Sequence, residues 1–242
     1  MSVVVPFAGE PLAAQSLITG LRRLDLREGD EVIVVDNSPQ PSVPLDEPGS
    51  AIRVVRATRE HSSYHARNAG AEAARSENEW LLFMDADCRP DPFLLDRYFA
   101  EPIPEDCGIV AGAVLGDPRQ PGILPGWARS RRQLSEEHLL PGPASLPHPA
   151  AGTPNVLVRR LAFEALGGFH EGIRSGGDVE LSWRIQDGGW SLIHRPAAWV
   201  EHRYRRRLRT LMSQSARHAA GRRWLVRRYP GAFPRPQPLR DL

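Results

Sequence analysis

The chain has 242 residues, of which 41% are hydrophobic and 25% charged, so it is long enough for one large domain with its own core or for two small domains. Its apolar runs fall well short of the roughly 20 residues that a membrane span requires, and its first residues lack the basic stretch of a signal peptide. The two cysteines, Cys88 and Cys107, are too few for a disulfide framework, which favours a reducing, cytoplasmic setting.

The basic residues have an unusual type and an uneven distribution. All 31 are arginine, which excludes chemistry that needs a lysine, such as a Schiff base or a P-loop lysine. Residues 201–242 contain 12 arginines and 2 acidic residues, whereas residues 1–200 contain 19 arginines and 27 acidic residues. A basic C-terminal segment next to an acidic remainder predicts that this segment contacts an anionic partner.

The first hundred residues predict alternating strands and helices. Strands are expected at Ser2–Val5 (ending at Pro6), Glu31–Val35, Ile52–Val55 and Trp80–Met84, and helices at Leu12–Leu24, His65–Arg75 and Asp91–Phe99. Continuous apolar strands that alternate with helices are typical of an α/β domain with a mostly parallel sheet.

The second half is less regular. A strand is expected at Gly108–Gly116, a helix at Trp127–Leu140 within a long loop, and a strand, a helix and a glycine stop within residues 150–172. Further on, the pattern predicts a helix at Val179–Ile185 capped by Asp178, strands at Ser191–Arg195 and Ala198–His202, and a basic helix from Arg205 onward. One face of that last helix is expected to pack on the domain; its residues are Leu208, Leu211, Met212, Ser215 and Ala219.

Two aspartates separated by one residue follow the fourth strand, in the segment WLLFMDADCRP. In open α/β sheets, ligands bind beyond the carboxyl ends of the strands. At such a position Asp85 and Asp87 can hold Mg²⁺ or Mn²⁺ together with a substrate diphosphate. The spacing alone leaves a second interpretation open, in which the two acids cap the next helix or are solvated.

An ordered set of segments resembles the family 2 glycosyltransferases of the GT-A fold. The segments are SVVVP, VIVVDNS, HARNAGAEAA, WLLFMDADCRP, GTPNVLVRRLAFEALGGFHE, GGDVELSWRIQDGGW and a late histidine. The resemblance implies a single Rossmann-like GT-A domain over residues 1–203 with a mixed, mostly parallel sheet. Its nucleotide-binding half would span about residues 1–100 and its acceptor half about 101–203, with residues 204–242 as a basic helical tail.

The resemblance also implies donor-site residues. Pro6 and Ala8 match positions that line the base, and Asp36 with Asn37 matches an acidic pair whose second member accepts a bond from the base, which an amide oxygen can also do. Arg67 and Asp85 match residues that approach the nucleotide, whereas the implied metal ligands are Asp85, Asp87 and His202. The alternatives are that the residues from Asp36 onward form only a turn and that Arg67 is an ordinary surface arginine of a helix.

Asp178 matches the aspartate of the family's Glu-Asp pair, which implies that it is the base that deprotonates the acceptor hydroxyl. The preceding glutamate is replaced by Gly177, so this chain has one carboxylate fewer, and the alternative role for Asp178 is the helix cap. Four further residues are expected on the acceptor or sugar side: Asn155, Glu180, Trp183 and Arg184.

The implied activity is metal-dependent, inverting transfer of one sugar from a nucleoside-diphosphate sugar, with a UDP-sugar favoured. The acceptor is unidentified: a lipid-linked molecule, a glycan or a small natural product. Processive relatives carry Q-x-x-R-W, of which only Arg223 and Trp224 occur here, so non-processive transfer is expected.

Other functions stay open at this point. A non-catalytic nucleotide-binding scaffold on the same fold is kept open by Gly177 and by Phe7-Ala8-Gly9 in place of the usual P-T-Y-N. A sugar-phosphate nucleotidyltransferase is disfavoured because the chain lacks the glycine-rich loop and the lysine of that class. The arginine-rich tail is expected to pack on the domain or to meet an anionic membrane at the inner face, and nucleic acid is the least favoured partner.

Overall fold

The computed structural model describes residues 1–44, 50–130 and 149–231. Within these ranges the strands form one eight-stranded sheet of order β3-β2-β1-β4-β7-β6-β8-β5. The strands are β1 (Ser2–Phe7), β2 (Glu31–Asp36), β3 (Ile52–Arg56), β4 (Trp80–Met84), β5 (Cys88–Pro90), β6 (Cys107–Gly116), β7 (Asn155–Arg159) and β8 (Ser191–His202). The helices are α1 (Pro11–Leu21), α2 (Ser63–Ala73), α3 (Leu94–Tyr98), α4 (Ile123–Ser130), α5 (Arg160–Ala165), α6 (Gly177–Asp187) and α7 (Leu208–Arg228).

The sheet is mixed, as the sequence predicted. Strands β3, β2, β1 and β4 are parallel, β7 is antiparallel to both β4 and β6, β8 runs parallel to β6, and β5 runs antiparallel to β8. The central strands are apolar throughout because both of their faces are covered. One face packs on α1 and α3, and the other on α2, α5 and α6.

Helix α2 lies unusually close to the sheet. A Cβ atom at Gly70 would be 2.4 Å from Cγ1 of Val4 and 2.8 Å from Cγ2 of Val35, so only glycine permits this approach. The contact fixes the height of α2 above β1 and β2, and with it the position of the polar residues in the preceding turn of the helix.

Strand β1 does not end at Pro6 as expected. It continues to Phe7, with Pro6 paired opposite Val35. The carbonyl of Phe7 accepts a hydrogen bond from the Asn37 amide after β2, so the backbone groups of Pro6 face the other way, towards β4. Pairing with β4 ends at Val4, so the missing N–H of proline costs no ladder hydrogen bond at this place.

The two strands expected near the end of the domain are one strand, β8. A register shift places Gly112 of β6 opposite Arg195 and Ala113 opposite Trp199, so the intervening residues of β8, including Pro196, form a bulge. The short strand β5 was not predicted, and α3 begins at Leu94 rather than at Asp91. The helix expected at Trp127–Leu140 overlaps α4, and its remainder lies outside the described residues.

Helix α7 packs on the domain, but not through the predicted face. Leu208 and Met212 are exposed, and the buried residues of the helix are Gly221 and Leu225. Leu225 joins Val179 and Trp183 of α6 in a small apolar cluster. A Cβ atom at Gly221 would lie 2.6 Å from a backbone oxygen before α6, so the small residue allows the helix to settle there.

Of the helices that the structure describes, none combines the length and the apolar composition that crossing a bilayer requires. Helix α7 has 21 residues but is rich in arginine.

Candidate active site

The predicted metal residues are brought together by strand pairing. Asp85 and Asp87 follow β4, and β5 begins at the next residue, Cys88, which pairs with His202 at the end of β8. As a result, Oδ1 of Asp87 lies 3.2 Å from Nε2 of His202. Nη2 of Arg205 lies 3.4 Å from Oδ2 of the same aspartate, a contact that sequence reasoning did not predict.

Asp85 has a different partner. Its Oδ1 accepts a hydrogen bond from Nη2 of Arg67, whose side chain is almost completely buried under the site. The guanidinium also lies 5.6 Å from the ring centre of Tyr64 and 5.8 Å from that of Phe169. Nε of Arg67 is buried and has no hydrogen-bond partner among the described residues.

The two aspartates are electrostatically unequal. Burial raises the pKa of Asp85, and the neighbouring Asp87 carboxylate adds to this shift, although Arg67 opposes it. Burial acts in the same direction on Asp87, but the hydrogen bond with His202 and the charge of Arg205 hold the pKa of Asp87 below its usual range. Two carboxylates in a confined space repel one another, and a divalent cation would relieve that repulsion.

The donor atoms at this edge suit a hard cation. Within the described ranges, ligand atoms of Asp87, Cys88 and His202 lie within 4.8 Å of one another. Burial raises the pKa of the Cys88 thiol well above its usual range, and the two aspartates add to the effect. The carboxylate oxygen and the imidazole nitrogen in this group suit Mn²⁺ and, on the oxygen side, Mg²⁺.

Asp36 stabilises the loop that follows β2 from its buried side. Both of its oxygens are used: the backbone amides of Ser38, Ser42 and Val43 donate to them, and Nη1 of Arg56 lies 2.8 Å away. Burial acts to raise the pKa of Asp36, but these hydrogen bonds hold it well below its usual range. The carboxylate is fully buried, so it organises the loop and does not itself face a ligand.

The neighbouring Asn37 keeps one atom available. Its amide nitrogen donates to the carbonyl oxygens of Ala57 and Glu60, so Oδ1 is the atom left to accept a bond from a base. Pro6 is half-buried near the end of β1, and Ala8 is exposed just beyond it. The three residues therefore follow or end neighbouring parallel strands, as the sequence predicted for a nucleotide edge.

Asp178 is not the cap of α6. The capping position is Gly176, whose φ of 86° lies in the left-handed region, and the helix begins at Gly177. Asp178 therefore lies in the first turn, where a carboxylate is stabilised by the positive end of the helix. Its side chain is partly exposed, so it is free to meet a substrate.

Four residues expected on the acceptor side lie elsewhere. Asn155 is fully buried: its Oδ1 accepts a hydrogen bond from Tyr98 at 2.8 Å, and its Nδ2 donates to the carbonyls of Ala113 and Ala198. It joins the strands of the core and does not line the site.

The other three hold α6 to its neighbours. Glu180 is buried and binds Arg184 through both oxygens, at 3.0 and 2.7 Å. Arg184 also donates to the carbonyls of Leu166 and Gly168. Trp183 is buried against Tyr229 with ring centres 5.2 Å apart. These corrections share one cause: the spacing of residues along a helix does not show which side chains already bind other groups within the protein.

Asn155→Ala is expected to destabilise the fold by about 2–4 kcal/mol, because it removes three buried hydrogen bonds, one from Tyr98 and two to backbone carbonyls. Urea unfolding measures the change, with Gln15→Ala on the exposed face of α1 as the matched control. Nucleotide affinity of the folded protein should stay within twofold of the unaltered chain; a selective loss of affinity would return Asn155 to the site.

A small pocket that includes His202 lies between α4, the end of β8 and α7. Its lining includes Leu124, Ala128, His202, Tyr204, Leu211 and His218. Loss of contact with water lowers the pKa of His218, and the carboxylate of Asp178 acts in the opposite direction, so His218 and Asp178 belong to the same region of the site.

Comparison with known families gives a match over residues 2–143 to the model described as glycosyl transferase family 2. Among characterised proteins, the chain is 26% identical over 237 residues to the pre-mycofactocin glycosyltransferase of Mycobacterium tuberculosis, covering 95% of this chain and 48% of that protein. It is 27% identical over 198 residues to the glycosyltransferase AglE of Haloferax volcanii, covering 79% of this chain and 63% of that protein. The chain thus spans about half to two thirds of these relatives.

Two solved structures share the fold. The mannosyltransferase PcManGT from Pyrobaculum calidifontis, solved with GDP-Man and Mn²⁺, superposes with a TM-score of 0.64 at 20% identity, over 96% of this chain and 65% of that one. GalNAc-T7, solved with UDP, GalNAc and Mn²⁺, gives a TM-score of 0.60 at 19% identity, over 84% of this chain and 43% of that one. At such identities the likeness concerns the fold.

Proposed function

The chain belongs to glycosyl transferase family 2 and has the GT-A fold, and on that premise we propose that it transfers one sugar from a nucleoside-diphosphate sugar to an acceptor hydroxyl. The observation that carries the proposal is the cluster at the carboxyl edge of the sheet. There the Asp87–His202 pair lies beside the Asp85–Arg67 pair, as expected for a metal–diphosphate site.

Asp87 and His202 are the proposed ligands of Mn²⁺ or Mg²⁺, with Asp85 completing the site on the ribose side. Bound there, the cation would stabilise the negative charge that develops on the departing diphosphate. Arg67 is proposed to support the same charge through its guanidinium, which lies against Asp85. The Mn²⁺ present with both structural neighbours supports this choice of metal.

The nucleotide is proposed to lie against Pro6 and Ala8, with Oδ1 of Asn37 accepting a hydrogen bond from the base. Asp36 acts indirectly, by holding the loop that presents Asn37. UDP remains the favoured nucleotide, and GDP is the second choice because the mannosyltransferase neighbour was solved with GDP-Man.

Asp178 is proposed as the base of an inverting transfer. It takes the proton of the acceptor hydroxyl as that oxygen bonds to the anomeric carbon and the bond from this carbon to the diphosphate breaks. Helix α6 supports this role because it presents the carboxylate partly exposed in its first turn. The acceptor is proposed to enter through the pocket between α4 and α7, where Leu124, Leu211 and His218 offer both apolar and polar contacts.

Helix α7 is then a wall of the acceptor site, and transfer is proposed to be non-processive. The arginine-rich surface of α7 is proposed to face an anionic acceptor or a membrane surface. A cytoplasmic location with peripheral contact at the inner face of the membrane stays a prediction.

Calorimetry tests the donor site directly. UDP, GDP, dTDP and ADP are titrated separately with Mn²⁺ and again with EDTA. One nucleotide is expected to bind with a Kd in the micromolar range with Mn²⁺ and at least about tenfold more weakly in EDTA. The matching monophosphate is the control, because without the second phosphate its affinity should depend little on metal. If no nucleotide binds under either condition, the proposed function fails.

A further inference from the structure

A buried tyrosine of α2 holds the start of α6. Tyr64 is 5% exposed, and its hydroxyl oxygen accepts a hydrogen bond from the backbone amide of Gly177 at 3.0 Å. Its own backbone amide donates to the hydroxyl of Ser62, which caps α2. The first turns of the two helices are thereby joined, at the residue that immediately precedes Asp178.

The tyrosine ring also occupies the space that a side chain at position 177 would need. A Cβ atom at Gly177 would lie 2.8 Å from Cζ of Tyr64 and 3.0 Å from both Cε atoms. The ring cannot easily move aside, because it stacks on Phe169 with ring centres 5.5 Å apart. The Tyr64 ring and Gly177 therefore fit together. Because the ring fills the space at position 177, a carboxylate side chain does not fit immediately before Asp178.

The Tyr64 hydroxyl retains a proton to donate. Its oxygen accepts from Gly177, and none of the hydrogen bonds among the described residues uses its hydrogen. Burial raises the pKa of Tyr64, and the carboxylate of Asp178 adds to the shift more strongly than that of Asp85. At neutral pH the residue is thus a neutral donor in the field of two acids.

We propose that Tyr64 is the positioning residue for Asp178. It fixes the Gly177 amide, which directly precedes Asp178, and its ring occupies the place of a side chain at position 177. The inference rests on the proposed role of Asp178 as base. Tyr64 acts through Asp178 and does not contact the reacting atoms.

The test is Tyr64→Phe, which removes the hydroxyl and keeps the ring. The readout is release of the nucleoside diphosphate from the donor sugar that calorimetry identifies, with water as acceptor until the natural one is known. The expected result is a kcat lower by about 10- to 100-fold, with the KM for the donor and the Kd for the nucleotide within twofold. Tyr98→Phe is the matched control: its hydroxyl donates to Asn155 in the core, so it should lower Tm and leave kcat within twofold.

A second variant tests the pairing itself. Gly177→Ala is expected to lower kcat because the added methyl group displaces the Tyr64 ring. If both changes act through one contact, the double variant Tyr64→Phe with Gly177→Ala should be no slower than the slower single variant. Two losses that multiply independently would contradict the pairing.

The outcomes separate this inference from the proposed function. An unchanged kcat in Tyr64→Phe would make Tyr64 a packing residue only, and a weakened nucleotide Kd would make it part of the donor site; either result overturns the inference. If Tyr64→Phe is slow but Asp178→Asn keeps full activity, the proposed base is wrong, and so is the inference about what Tyr64 positions.

Discussion

Asp178→Asn is expected to lower the rate of sugar transfer by about 1000-fold while leaving nucleotide affinity within about twofold. The amide has nearly the same shape as the carboxylate but cannot accept the proton of the acceptor hydroxyl. Asp178 lies in the first turn of α6. Among the described residues it is not a member of the Asp85–Arg67 pair or of the Asp87–His202 pair, so donor binding should persist.

The measurement is release of the nucleoside diphosphate under saturating donor, together with calorimetry of the same variant. Asp187→Asn is the matched control, since Asp187 is exposed at the other end of the same helix. A variant that transfers sugar at more than a tenth of the original rate would exclude Asp178 as base. A chain that binds nucleotide but shows no transfer even when unaltered would be the non-catalytic scaffold.

Asp87→Asn is expected to weaken nucleotide binding with Mn²⁺ by about 100-fold or more and to leave binding in EDTA unchanged. The substitution removes the charged ligand and breaks the contact with His202. His202→Ala should have a smaller effect in the same direction, about tenfold, because Asp85 and Asp87 remain.

Titration with the metal present and absent separates this loss from unfolding. Asp106→Asn, at an exposed position just before β6, is the matched control and should retain full Mn²⁺-dependent affinity. Equal weakening with and without metal would place Asp87 in direct contact with the nucleotide and would contradict its role as a metal ligand.

The meeting of Asp87 and His202 was predictable because the Asp85–Asp87 signal is local and is joined by a family resemblance. An apolar strand that stops at Asp85 and Asp87 predicts polar side chains at the end of a parallel strand. His202 came only from the resemblance, since its neighbour β5 has three residues, too few for any periodic pattern.

The interior of the second half was harder to predict. Asn155 and Glu180 have polar side chains at positions that resemble site residues, but both form hydrogen bonds within the protein. The partners of Asn155 are distant in sequence, whereas Glu180 binds Arg184 one helical turn further on. Tyr64 was missed for the opposite reason, because an aromatic residue on a helix usually signals packing. The available clue was its spacing, three residues before Arg67 and therefore on the same helical face.

The place of β8 in the sheet has a consequence for how the protein is made. Strand β8 is the last strand of the described residues, yet it lies between β6 and β5, and it brings His202 to Asp87. A chain emerging from the ribosome thus carries both aspartates more than a hundred residues before the histidine, and among the described strands β5 pairs with β8 alone. The proposed site at Asp87 and His202 is therefore complete only when β8 is in place, so Mn²⁺ binding is expected to report how many molecules have completed the sheet.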